Sequence, residues 1–518
     1  MKKIDQNKSS GKSRLNATFF APKFVIVCSM LLLIASQATA ADQLKCRYGM
    51  VGKLPLKYHG ASMGVVAEGQ INNTPAEMLI DTGSTNTLMT RFAVDKRAIP
   101  LEPTMHTYTG VGGGTRLYMA AVKQFQVGPI NTEYGHGQLQ VVDEMGKRPE
   151  HDAVVGANFL MEMDVELNLA EKQLKFFSPK NCENTFLGYW DKAALSVPLM
   201  FEVHYKRPIV EVELNGIKMR ALLDTGATGS FVSTEGASRA GVKPDTADGA
   251  GRETYGFGKK IVKMHDATFK TFSLGSETIQ NAHLEILEHK SDGFDVILGT
   301  DFMRAHRILF AVSQMKMYFS YIGGEPFNNE QSNHWIELEA DAGNGYAQYF
   351  MARPNLESAK PEWQAVGRAW MDKSLANNTP IALLYMARQR SREGKYADSV
   401  DLYERLLERD AFDMQAQLEV FVARLKAGQV DQAKPALAKA MARFKWPKWP
   451  APITGYYLDE VTLDDLLRQA GSERDVAKYR TCEVLRHAGA LQEALGQADA
   501  AKTLAARAKT ECPSSGMR

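Results

Sequence analysis

Met78-Leu-Ile-Asp81-Thr82-Gly83-Ser84-Thr85 is answered later in the chain by Ala221-Leu-Leu-Asp224-Thr225-Gly226-Ala227-Thr228. In both stretches an apolar run ends in an Asp-Thr-Gly turn followed by small or hydroxylated residues. The two aspartates are 143 residues apart, and the offset recurs. It relates Pro55 to Pro198, each in an apolar-Pro-Leu lead, and Asp152-Ala-Val-Val-Gly156-Ala-Asn-Phe159 to Asp295-Val-Ile-Leu-Gly299-Thr-Asp-Phe302. Anchors held in register over such a length mark residues from about 50 to 322 as a tandem duplication.

Each copy reads as β-rich. Ile209-Val-Glu-Val-Glu-Leu-Asn-Gly216 alternates apolar and polar residues before a turn, and a second apolar run then delivers the aspartate. Gly64-Val-Val-Ala-Glu-Gly69 and Met78-Leu-Ile80 repeat the layout in the first copy. Two copies supply two carboxylates. Held about 3 Å apart, two carboxyls cannot both ionise, so the pair keeps one proton. One member then takes a proton from water while the other polarises a carbonyl, which is the chemistry that peptide hydrolysis requires.

With the glycine-rich segments that follow, each copy resembles the retropepsin-type aspartic protease unit almost end to end. That resemblance implies Asp81 and Asp224 as the catalytic pair and Thr82 and Thr225 as interlocking threonines. Gly83, Ser84, Gly226 and Ala227 would support them. It implies flaps at Tyr108, Gly110, Gly112 and Gly113 in copy one and at Tyr255, Gly256 and Gly258 in copy two, where glycines suit a water-excluding lid. Both halves lie in one chain, as in pepsin-like enzymes, so the expected fold is two mainly-β lobes forming a pseudo-dimer. Ser84 stands where copy two has Ala227. A hydroxyl donating to the Asp81 carboxylate would favour its ionised form and leave the proton on Asp224.

After a polar segment from Gly323 the composition turns helical. Gly394, Gly428 and Gly496 are spaced by 34 and 68 residues, with a small residue five positions after each glycine. This resembles tetratricopeptide repeats, which are helical hairpins of that period. If Gly496-Gln497 is a hairpin turn, Cys482 and Cys512 are placed symmetrically about it and face each other across the antiparallel pair. Cys46 and Cys182 bracket the first Asp-Thr-Gly region and form the other expected pair.

The basic lead Lys2 to Lys23, the apolar run Phe24 to Ala35 and the small-x-small site Ala38-Thr39-Ala40 read as a signal peptide. Its removal leaves four cysteines, as an oxidising compartment permits. The expected organisation is a signal peptide over 1–40, lobes over 41–190 and 191–322, a linker over 323–344 and a tetratricopeptide-like domain over 345–518. A net charge of +2, with 24% charged and 44% hydrophobic residues, argues against nucleic acid as a partner. No cofactor, no metal and no membrane span after signal cleavage are expected. The expected function is an exported aspartic endopeptidase, periplasmic or secreted, acting on peptide or protein substrates, with the helical domain recruiting a substrate or protein partner. The alternative is a catalytically weak or inactive peptide-binding or scaffold protein that uses the same cleft and the tetratricopeptide-like surface.

Overall fold

The computed structural model describes residues 45–132, 137–142, 149–202, 205–244, 251–254, 256–258, 260–288, 293–327, 334–443, 449–473 and 476–512. The expected signal peptide and Tyr255 lie outside the described residues. Among the described residues no helix is long and apolar enough to cross a membrane.

Each lobe begins with a hairpin that brings one aspartate to the site. In the first, strands Gly64–Ile71 and Thr74–Ile80 are joined by Asn72 and Asn73, both at positive φ (49° and 61°). In the second, strands Tyr205–Leu214 and Ile217–Leu223 are joined by Asn215 and Gly216 at φ 51° and 78°. Two central residues at positive φ make the turn whose twist suits paired strands, and Asn and Gly reach it at least cost. The alternation read from sequence is realised: Val210, Val212 and Leu214 are buried while Glu211 is exposed.

The strand that ends in each aspartate is also paired on its other edge, in parallel, with Ala153–Val155 in lobe one and Val296–Leu298 in lobe two. Being enclosed on both faces, these short strands are wholly apolar rather than alternating. The lobe sheets contain ten and eight strands among the described residues.

A six-stranded sheet joins the lobes, in the order Arg47–Pro55, Gln173–Lys180, Asp164–Asn168, His306–Ala311, Lys316–Tyr321, Leu195–Pro198. Three strands come from each copy, and the central antiparallel pair aligns Glu166 with Leu309. Those residues are counterparts at the 143 offset, so the local twofold axis runs through them. The copies therefore pair within one chain. Cys46 and Cys182 are disulfide-bonded beside this sheet.

Eleven helices follow among the described residues, from His334–Asp341 to Ala498–Glu511. Gly394, Gly428 and Gly496, at φ 74°, 78° and 75°, end the first helix of three hairpins. The last hairpin brings Cys482 and Cys512 to a Cα separation of 5.7 Å, and they are bonded. The segment read as a linker contains helix His334–Asp341. Polar composition masked it, because its inward face consists of only Trp335, Ile336, Glu339 and Ala340. Ile336 and Ala340 join the core that continues through both lobes and into the helices as far as Ala382. Asn344 Nδ2 donates to the Tyr58 carbonyl at 2.9 Å, and Lys172 pairs with Glu339 at 2.6 Å. The start of the helical region is thus docked on the lobes.

Candidate active site

Asp81 and Asp224 meet at the junction of the lobes. The N–H of Asp81 donates to the Val155 carbonyl at 3.0 Å, and that of Asp224 to the Leu298 carbonyl at 2.9 Å. The buried parallel pairing thus carries straight into the turn. Backbone N–H groups hold the carboxylates from within each turn: Ser84 donates to Asp81 Oδ1 and Gly226 to Asp224 Oδ1, both at 2.8 Å. Across the junction the two carboxyls are close enough for each to act on the other's ionisation. Gly83 lies against the Asp224 carboxylate and Gly226 against that of Asp81, so that a Cβ at either position would collide with the opposite acid.

The threonines lock this arrangement. Thr82 N–H donates to Thr225 Oγ1 and Thr225 N–H to Thr82 Oγ1, each at 3.0 Å. Their hydroxyls donate onward to Leu223 and Ile80 carbonyls at 2.7 and 2.6 Å, each in the opposite lobe. All four bonds are buried and cross between the copies, so every donor and acceptor in the grip depends on the other lobe.

Beneath each turn lies a polar brace that the sequence reading missed. Asn158 Oδ1 accepts from the N–H and hydroxyl of Thr87 at 2.7 and 2.9 Å, and Thr87 Oγ1 accepts from Gly156 N–H at 3.0 Å. In lobe two, Asp301 accepts from the N–H and hydroxyl of Ser230 at 2.9 and 2.6 Å, and Ser230 Oγ accepts from Gly299 N–H at 3.0 Å. These residues obey the same offset as the aspartates. A pair of hydroxyl and amide or acid residues in register was the signal that could have found them.

Above the aspartates, strands Leu101–Gly110 and Gly113–Ala121 form a hairpin. Its tip is bonded to the second lobe: Gly112 N–H donates to the Phe257 carbonyl at 2.7 Å, and Lys260 N–H to the Gly112 carbonyl at 2.9 Å. Gly112 and Gly258 pair as a parallel bridge. The Tyr108 ring packs edge-on against Phe257 at 5.3 Å, and its hydroxyl lies 3.0 Å from Ser84 Oγ. Gly110, Gly112 and Gly113 of one copy and Gly256 and Gly258 of the other therefore gather where the two lobes touch over the site. Phe257, not singled out from sequence, supplies the apolar contact.

An aspartyl protease family model matches the chain twice, over residues 67–159 and 210–302. The lobes are aspartic protease-like domains in tandem. The matched segments keep the 143-residue offset and include both aspartates, both threonines and both polar braces. The structure is also similar to that of an aspartic proteinase from Irpex lacteus, with 12% identity over 54% of this chain and 99% of that one and a TM-score of 0.36. No curated protein matches the sequence.

Within the protease-like pair, burial pushes both carboxyls above their ordinary range. Asp81 is raised further, because after burial the charge of Asp224 favours its protonated form. Asp224 is drawn back by Asp81, by the N–H groups of Gly226 and Ala227, and by Arg207. The two raised, interacting carboxyls hold one proton between them. The hydroxyl of Ser84 donates to the Asn86 carbonyl at 2.9 Å and meets Tyr108, while only its backbone N–H reaches Asp81. Arg207, paired with Glu202 at 2.6 Å, is a further residue that the sequence reading did not mark. Among the described residues no three His, Cys, Asp or Glu side chains gather as a metal site would need.

Proposed function

We propose that the protein is an exported aspartic endopeptidase whose two lobes each supply one member of the catalytic pair. The observation that carries this reading is the meeting of Asp81 and Asp224 across the lobes, with each carboxyl against the opposite glycine. Two buried acids sharing one proton combine a general base with a general acid.

The ionised member of the pair takes a proton from a water held between the carboxyls, and the water oxygen attacks the scissile carbonyl carbon. The protonated member gives its proton to the carbonyl oxygen as the C–O double bond opens to a tetrahedral diol. Collapse of the diol returns a proton from the dyad to the amine, breaks the C–N bond and leaves a carboxylic acid and an amine. The flap carrying Tyr108 closes over the reacting bond and excludes bulk water.

Export is supported by the basic, apolar and small-residue pattern of residues 1–40 and by the two disulfides; the periplasm is the compartment we favour. The helical hairpins after the lobes, tetratricopeptide-like in period, are assigned to holding a protein substrate or partner.

The test is cleavage of a randomised peptide pool by wild type, Asp81→Asn and Asp224→Asn. Cleavage by wild type and its loss in both variants supports one shared dyad. Cleavage surviving in either variant, or none by wild type, overturns it, and the latter result leaves a peptide-binding cleft.

A further inference from the structure

The turns that carry the two aspartates share one tie to the short helix that follows in each lobe. Ala157 N–H donates to the Ser84 carbonyl at 2.8 Å, and its counterpart Thr300 N–H donates to the Ala227 carbonyl at 2.9 Å. Thr300, which is buried, then adds what Ala157 cannot. Its hydroxyl donates to the Thr228 carbonyl at 3.3 Å and accepts from Arg304 Nη1 at 3.1 Å. At the 143 offset Arg304 corresponds to Met161, a buried residue with no N–H to give. At these two positions, therefore, side chains tie the turn in lobe two and not in lobe one.

Arg304 is held in turn by the helical region. Its guanidinium lies over the Trp335 ring at 4.0 Å, and that ring also packs against Tyr58 of lobe one at 5.0 Å. A guanidinium over an indole face is attracted by the ring quadrupole, the more so where bulk water is kept away. Trp335 has little freedom of its own. It lies on helix His334–Asp341, whose Ile336 and Ala340 are seated in the core shared with the lobes and whose Glu339 pairs with Lys172 at 2.6 Å. Arg304 also serves the polar brace of the same lobe. Burial pushes the Asp301 carboxyl up, and Ser230 and the Arg304 charge draw it back toward the ionised form that accepts both Ser230 bonds.

We infer that Trp335 and Arg304 form a strut through which the helical region positions the Asp224 turn. Trp335 holds the guanidinium, the guanidinium orients the Thr300 hydroxyl, and that hydroxyl fixes the Thr228 carbonyl four residues after the aspartate. Both are positioning residues, since they act on Asp224 only through its turn. The inference rests on the aspartic peptidase reading of the dyad and gives the helical region a part in it beyond recruitment: one of the two carboxyls is set by a segment outside both protease-like lobes. The Asp81 turn does without it. Because the strut acts on a reacting group and not on the walls that hold substrate, its loss falls on kcat and spares KM.

The test uses the full chain as wild type, Trp335→Leu, Trp335→Phe and Arg304→Met. Hydrogen exchange is read by mass spectrometry over residues 221–233 and over the counterpart segment 78–90, together with kcat and KM on one peptide that wild type cleaves. Trp335→Leu removes the ring, and Arg304→Met keeps the stem without the donor. Each should speed exchange over 221–233 and lower kcat by about 3- to 10-fold, the worth of one hydrogen bond, with KM and segment 78–90 unchanged. Trp335→Phe keeps an aromatic face under the guanidinium and should recover most of both losses. Unchanged exchange over 221–233, equal loosening of both segments, or a wild-type kcat in Trp335→Leu and Arg304→Met overturns the strut and leaves the dyad standing. If Trp335→Leu does not fold, Arg304→Met decides by the same readouts. If wild type cleaves nothing, the peptidase reading fails and exchange alone decides the strut: loosening confined to 221–233 supports it, and any other pattern refutes it.

Discussion

Thr82 and Thr225 each donate a backbone N–H to the other's hydroxyl oxygen at 3.0 Å, and each hydroxyl is spent on a carbonyl of the opposite lobe. Neither lobe can satisfy these buried groups alone. Thr82→Val leaves the Thr225 N–H and the Leu223 carbonyl unpaired and should destabilise the protein by roughly 2–4 kcal/mol. Thr82→Ser, which keeps the hydroxyl, should lose about 1 kcal/mol or less. Chemical denaturation of the two variants checks this, and equal losses would show that the methyl group rather than the bonds matters.

Gly83 and Gly226 are where the carboxyls come closest to backbone. Alanine at Gly226 has to push Asp81 aside, and a displacement of about 1 Å in a reacting group is worth on the order of 100-fold in rate. Gly226→Ala should therefore lose peptide cleavage by about that factor or more while its circular dichroism stays that of wild type.

The two acids also set a pH dependence of stability. Their folded pKa values are raised by burial above the ordinary value of about 3.9. A raised carboxyl contributes stability that is fully present below the unfolded pKa and is lost as pH rises through the folded one. Wild type should thus weaken relative to Asp81→Asn and Asp224→Asn as pH rises from about 4. Melting temperatures at acidic and neutral pH test this: both variants should melt above wild type at neutral pH, with the gap closing in acid. A gap that does not change with pH sinks the shared-proton account.

Tyr108 anchors the flap through its hydroxyl to Ser84 and its ring to Phe257. Tyr108→Phe removes only the hydroxyl, which is worth about 0.5–1.5 kcal/mol. It should speed hydrogen exchange over residues 101–121 and lower kcat/KM by about 3- to 10-fold, with little change in melting temperature. Unchanged exchange would mean that the Gly112 bonds hold the flap without it.

Ala227→Ser restores the residue found at the equivalent point of the first lobe. There the Ser84 hydroxyl serves the Asn86 carbonyl instead of the carboxylate. The acidic limb of the pH-rate profile should therefore be the same in Ala227→Ser as in wild type; a downward shift would show that the new hydroxyl reaches Asp224.

Much of this site was legible because a duplication writes its own alignment. The offset that pairs Asp81 with Asp224 also pairs Thr87 with Ser230 and Asn158 with Asp301, and the structure turns each pair into the same brace. The cysteines were readable for a related reason, since hairpin symmetry and bracketing are properties of spacing. The direction of a hydroxyl was not. Ser84 has a carbonyl, a phenol and a carboxylate within reach, and nothing local to its sequence ranks them. Helix His334–Asp341 stayed hidden because its stability comes from Trp335 and Ile336 seated on surfaces more than 270 residues earlier in the chain, at Tyr58 and Met63.

The sequence by itself determined what the protein is built from. Two β lobes related by a constant offset, two acids on buried strands, two disulfides and a helical tail follow from alternation, turn residues and spacing, which are local quantities. The tertiary structure decided how those parts share work. The upward shift of both carboxyls depends on burial between the lobes, and the seating of helix His334–Asp341 depends on the lobe surface at Tyr58 and Arg304. Both are set by groups distant in the chain, where the electrostatic environment and the exclusion of water exist only after the lobes and helices have packed.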